Sequence, residues 1–136
     1  MSNEKLYTGS CLCGGIRYEI QGEIGEVLYC HCKRCRKANG TAFATNAPIQ
    51  KADFKIVQGE QLLKKYQSSE TTQCCFCGEC ASPIISIKTD TPDTYRLRIG
   101  TLDTPLEHKP TKHIFTAYKA EWDTICDGLP QYDERP

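Results

Sequence analysis

The chain has 136 residues, with 17 basic and 17 acidic side chains, a formal net charge of zero and a sequence pI near 6.8. That length corresponds to one domain, and charge neutrality argues against a duplex nucleic-acid binder, whose phosphate contacts require a basic excess or stripe. No run approaches the ~18 apolar residues of a membrane span, so no membrane partner is expected.

A hydrophobic fraction of 39% provides a modest core, and a chain this short gains disproportionately from a staple; its ten cysteines supply the material. The first stretch, "MSNEKLYTGS", lacks the basic region and apolar run of a secretory signal. The expected setting is therefore cytoplasmic and reducing, which favours metal ligation over disulfides.

Gly and Pro punctuate the chain frequently, and the segments between them alternate with period two. "GIRYEI" sets Ile16, Tyr18 and Ile20 on one face; "DFKIVQG", "IISIK", "YRLRIG" and "HIFTAYKA" read similarly, with Tyr95, Leu97 and Ile99 alternating against Arg96 and Arg98. Short strands at this spacing predict a mainly antiparallel β domain. Two helical pieces are expected, at 32–38 and as a turn at 122–127, where Trp122 would pack against the sheet. Residues 88–94, "KTDTPDT", read as an exposed hairpin loop, and the tail "DGLPQYDERP" as surface coil.

The cysteines fall into "CLC" (Cys11, Cys13), "CHCKRC" (Cys30, Cys32, Cys35) and "CCFCGEC" (Cys74, Cys75, Cys77, Cys80), with Cys126 apart. Residues i and i+2 of a strand share a face, so each C-x-C presents two sulfurs together. Pairing "CLC" with a C-x-x-C turn completes a closed four-cysteine zinc cage. Cys77 with Cys80 is preferred, because Gly78 eases the turn and Pro83 ends it, although Cys74 and Cys77 share the spacing. Cys75 and Cys126 read as buried thiols.

Cys30, Cys32 and Cys35 then lack a fourth ligand of their own. His31 projects from the opposite side of the strand. Three protein ligands and an open position are the pattern of a catalytic zinc, unless Cys74 or Cys75 closes it. Such a centre binds an incoming thiol as its thiolate. The adjoining basic residues Lys33, Arg34, Arg36 and Lys37 can pair with a substrate carboxylate, Arg being the better fork, or can form a solvated turn. Tyr29 and Phe43 read as pocket wall or core.

The order "GSCLCGGIRYEI", "CHCKRCRKANGTAF", "FCGECASP" and "WDTICDGLPQY" resembles the glutathione-dependent formaldehyde-activating enzyme (GFA) family, with its centromere protein V relatives, from about Gly9 to Tyr132. The resemblance implies a tent-like fold of short antiparallel strands over residues 1–136. It also implies a structural zinc on Cys11, Cys13, Cys77 and Cys80, and an exchangeable zinc on Cys30, Cys32 and Cys35. The implied activity is that of a carbon–sulfur lyase adding glutathione, held by Lys33, Arg34 and Arg36, to formaldehyde. Ala81 stands where the family usually has glycine. A zinc-stabilised binding module and a thiol redox sensor are the alternatives to an enzyme.

Overall fold

The computed structural model describes residues 5–136. Ten strands and one short helix follow in order: β1 (Leu6–Ser10), β2 (Arg17–Gln21), β3 (Leu28–Cys30), α1 (Lys33–Asn39), β4 (Ala44–Gln50), β5 (Phe54–Gln58), β6 (Leu63–Gln67), β7 (Thr72–Cys77), β8 (Pro83–Lys88), β9 (Thr94–Arg98) and β10 (His113–Ile114). A three-stranded sheet has the order β1-β2-β5, and a seven-stranded sheet the order β10-β3-β4-β9-β8-β7-β6. Every pairing is antiparallel except β10 on β3. The mainly β reading of the sequence is what the chain adopts.

Alternation builds the core. Register places Tyr7 beside Ile20, and Ile20 beside Phe54, on one face of the smaller sheet. On the larger sheet Ala47 and Ile85 both flank Leu97, and Cys75 flanks Ile85. These two apolar faces pack together as one cluster that also holds Ile16, Tyr18 and Ile49. The opposite face of the larger sheet carries mostly polar side chains: Asn46 lies by Arg98, Pro48 by Arg96, Arg96 by Ser86, Ser86 by Cys74, and Lys88 by Thr72.

Helix α1 begins one residue later than the sequence reading placed it. Cys32 is its N-cap, the sulfur accepting from the Cys35 N–H at 3.3 Å. It ends at Gly40, whose positive φ of 68° lets its N–H close on the Arg36 carbonyl at 2.7 Å.

Three expectations need correction. "HIFTAYKA" yields only the two-residue β10, because Phe115 turns left-handed (φ 58°) and starts a 3-10 turn over Thr116–Tyr118. Residues 122–127 form no helix; Trp122 is 72% exposed and packs on no sheet. Cys126 is exposed rather than buried. The tail does run over the surface, but backbone bonds hold it beside β10: His113 N–H donates to Pro130 O at 2.9 Å and Phe115 N–H to Glu134 O at 3.1 Å. A two-residue edge strand is thereby covered.

Candidate metal centres and the adjoining cavity

Cys11 and Cys13 do not lie on a strand, as the spacing suggested; they follow β1 in a tight turn closed by Gly14 N–H donating to Cys11 O at 3.0 Å. Both sulfurs nevertheless meet the knuckle that follows β7. Sγ of Cys11 and Cys13 are 3.5 Å apart, and Cys13 and Cys77 are 3.9 Å apart. With Cys80 the four sulfurs lie within 4.8 Å of one another. Ligands at ~2.3 Å in a tetrahedron stand about 3.8 Å apart, so the set fits zinc. Donors surround these sulfurs: Ile16 N–H reaches Cys11 at 3.3 Å and Glu79 N–H reaches Cys77 at 3.4 Å. Ser82 Oγ, with the backbone N–H groups of Cys13 and Ser82, holds the Cys80 thiol down at about 5.

The knuckle's strained residue is not Gly78. Gly78 serves close approach, its N–H donating to Leu62 O at 2.7 Å. Ala81 is the left-handed residue, with φ 68°, which explains why glycine is usual there. A Cβ in this region costs ~1–2 kcal/mol. Ala81→Gly is therefore expected to raise stability by ~0.5–1 kcal/mol after the added chain entropy of glycine, seen as a higher midpoint in denaturant at unchanged slope.

The second cluster is Cys30, Cys32 and Cys35, again with all sulfurs within 4.8 Å. Cys30 ends β3, Cys32 caps α1, and Cys35 lies in its first turn, with Sγ–Sγ distances of 3.0 Å for Cys32–Cys35 and 3.3 Å for Cys35–Cys30. The neighbouring sulfurs of Cys30 and Cys35 hold the Cys32 thiol far below its ordinary value, and those of Cys30 and Cys32 push Cys35 up. Three converging sulfurs are a donor set suited to a soft divalent metal. Cys74 lines the same cavity outside this cluster, and Cys75 faces the core.

His31 turns away from its neighbours, into the protein. Its Nε2 lies 2.8 Å from Nδ1 of His113, and Nε2 of His113 lies 2.8 Å from Oδ2 of Asp127. A carboxylate only accepts, so His113 donates to Asp127 and, in its neutral form, accepts from His31; the Nδ1 of His31 is then a bare acceptor, and it is buried without a partner. Burial, then His113, lowers the pKa of His31. Tyr29 packs on the His113 ring, with centroids 4.8 Å apart, and Phe43 on the His31 ring, with centroids 5.0 Å apart. They brace the strand behind the cysteines and do not wall the cavity in front of them.

That cavity measures about 190 Å³ and is lined by the three cysteines, Cys74, Asn46, Ser86, Thr72 and five cations: Arg34, Lys88, Arg96, Arg98 and Arg135. Among the described residues no carboxylate lines it. Of the basic residues singled out beside the cysteines, only Arg34 borders this space; Lys33 and Arg36 border a separate hollow with Tyr118 and Trp122. Arg96 and Arg98 come from the polar face of β9. Arg98 is 8% exposed and reaches Asn46 Oδ1 at 2.5 Å. Burial, then Arg135, lowers the pKa of Arg96, while burial followed by Arg96 lowers that of Lys88; Asp90 opposes both shifts.

Residues 6–118 match the family model described as glutathione-dependent formaldehyde-activating enzyme. The chain belongs to this family. The matched span contains both cysteine clusters and ends before "WDTICDGLPQY", where Asp127 lies. A Rhodobacter sphaeroides protein of known crystal structure is similar in fold, with a TM-score of 0.62 and 24% identity over 73% of this chain and 90% of its own. In this GFA-family chain the clusters Cys11/Cys13/Cys77/Cys80 and Cys30/Cys32/Cys35 can each hold a metal, consistent with zinc. Among the described residues no helix is long and apolar enough to cross a membrane.

Sequence reasoning missed Lys88, Arg96, Arg98, Arg135, His113 and Asp127. The arginines had a signal, two basic residues alternating with apolar ones in "YRLRIG". Alternation gave these arginines only as one side of a strand, and that side floors the cavity.

Proposed function

We propose that the chain is a zinc-dependent carbon–sulfur lyase that joins a thiol, glutathione or a similar one, to formaldehyde or a related small aldehyde. The observation that carries this reading is the unequal pair of clusters: four sulfurs closed on themselves, and three sulfurs opening onto a cavity. Cys11, Cys13, Cys77 and Cys80 would hold a structural ion, and Cys30, Cys32 and Cys35 an exchangeable one. Zinc on the three sulfurs supplies a free coordination position at which a substrate thiol binds as its thiolate.

The protein's own residues do the rest. Cys30 at a strand end and Cys32 and Cys35 at a helix start are rigidly held, so the reacting sulfur is oriented rather than diffusing. The cations of the cavity attract the thiol's acidic groups and ease loss of its proton. In the reaction the sulfur's electron pair forms a C–S bond with the aldehyde carbon, the carbonyl π pair moves to oxygen, and the oxygen takes up the proton. Formaldehyde and R–SH give R–S–CH2–OH; the reverse reaction breaks the same bond.

The test is to mix zinc-loaded protein, glutathione and 13C-formaldehyde and to follow the hydroxymethyl adduct by NMR. Adduct formation above the uncatalysed rate, proportional to protein, is the expected result. An unchanged rate with every thiol tried would leave a zinc-stabilised binding module.

A further inference from the structure

We infer that a trough between α1 and β6–β8 is a subsite for an apolar substituent of the electrophile, so that the aldehyde taken there is branched or aromatic. The inference rests on the proposed lyase reading for the reaction; the affinity of the trough for an apolar group stands on its own lining.

A second space adjoins the cysteine cavity on the side of β6 and β7. It measures about 500 Å³, within the ~300–1,000 Å³ of sites that enclose small ligands. Arg34, Ser68, Cys74 and Arg98 line both spaces, so the two share a wall. Register sets Tyr66 beside Cys74 and Phe76 beside Pro83, which builds the floor from the sheet. Arg34, Lys37 and Ala38 are three and four positions apart on α1 and form the opposite side. Of the lining residues that the trough does not share with the cavity, only Lys37 is charged. Tyr66 is 65% exposed, and neither it nor Phe76 joins the core cluster. An apolar group favourably displaces water from such a surface.

Direction gives the trough to the electrophile. The thiol's sulfur belongs at Cys30, Cys32 and Cys35, and its acidic groups are drawn to the cations on β8 and β9. The shared wall is left for the carbonyl. Arg98 lies there, more than nine-tenths buried, with an Nε that has no partner. A carbonyl oxygen is an acceptor for it, and one that gains negative charge as the bond forms. The substituent on the carbonyl carbon then extends past Cys74 toward Tyr66 and Phe76. In the step, the sulfur's electron pair bonds to that carbon, the π pair moves to oxygen, and the oxygen takes the thiol proton. R–SH and R′–CHO give R–S–CH(OH)–R′.

The experiment compares 3-phenylpropanal with formaldehyde on zinc-loaded protein and glutathione, each rate divided by its own uncatalysed rate. Acceleration is expected to be roughly 10-fold greater for 3-phenylpropanal, the effect of partly burying an aromatic ring. Ala38→Trp, which fills the trough from an exposed helix position, should bring that ratio to about one. Tyr66→Ser, on the edge strand, should lower it as well and guards against a folding defect in the first variant. Equal accelerations in the wild type overturn the inference and leave the lyase reading intact, as does a ratio that neither variant changes. A preference that follows the thiol instead, 2-phenylethanethiol over 2-mercaptoethanol, gives the trough to the other substrate and also overturns it. If neither aldehyde reacts the lyase reading fails, and calorimetry with the unreactive 3-phenylpropan-1-ol decides the subsite. Binding lost in Ala38→Trp upholds it; binding that is absent, or unchanged in the variant, overturns it.

Discussion

Cys77→Ser is expected to yield insoluble or molten protein, whereas Cys32→Ser folds to a native-like domain. Cys77 is fully buried at the end of β7, and its sulfur joins a group whose other members lie in the turn after β1 and in the knuckle before β8. That group ties the smaller sheet to the larger one across more than sixty residues of sequence, as in the Cys13–Cys77 contact at 3.9 Å. Structural zinc contributes ~10–16 kcal/mol in small zinc modules, against ~5–15 kcal/mol of net stability for a whole domain. Losing one ligand of that cage thus exceeds what the remaining core can supply, and a serine hydroxyl at this site is also a buried polar group.

Cys32 differs in each respect. It is half-buried, and its local task is to cap α1 by accepting from Cys35 N–H. Serine is among the best N-cap residues, so the substitution keeps the helix start. Near-UV circular dichroism and thermal melting of the two variants check the contrast. Comparable damage from both would contradict the division into structural and functional clusters.

The parts of this molecule that were legible in the sequence are those where one local rule decides. Ile16, Tyr18 and Ile20 alternate over a buried face, and β2 forms there; "CHC" forces His31 away from its neighbours, and it points inward. The knuckle choice was legible too, but for an incomplete reason, since Ala81 and not Gly78 occupies the left-handed position. What stayed hidden depends on partners distant in the chain. Nothing local says that the polar side of "YRLRIG" meets Cys74, Ser86 and the tail's Arg135 around a cavity instead of facing water. The bracing of His31 requires His113 and Asp127, which lie 82 and 96 positions further on and reach it only because β10 pairs parallel with β3. "HIFTAYKA" was misread because alternation alone does not reveal a left-handed Phe115.

Cys32→Ser is expected to lose thiol-dependent aldehyde consumption by more than about 100-fold while retaining its fold. Changes that only perturb the orientation of a metal ligand already reduce metal affinity or activity by ~10- to 100-fold. Here one of three donors is exchanged for a hydroxyl, a poorer ligand for zinc than a thiolate. Metal lability should follow the same division. A closed set of four sulfurs releases its ion slowly, but three sulfurs facing a cavity leave a route for a competing chelator. Mild chelation of the wild-type protein should therefore remove one zinc per chain, abolish the reaction and leave the circular dichroism unchanged; readdition of zinc restores the rate. In Cys32→Ser the zinc content should already stand at one per chain, and X-ray absorption should show no additional sulfur on adding thiol, whereas the zinc-loaded wild type gains one at ~2.3 Å. A wild-type second site that already has four protein sulfurs before thiol is added, with Cys74 swung in from the cavity wall, would remove the open position on which the chemistry depends. The protein would then be a module with two closed zinc sites, and the loss of activity in Cys32→Ser would have no substrate position to explain it.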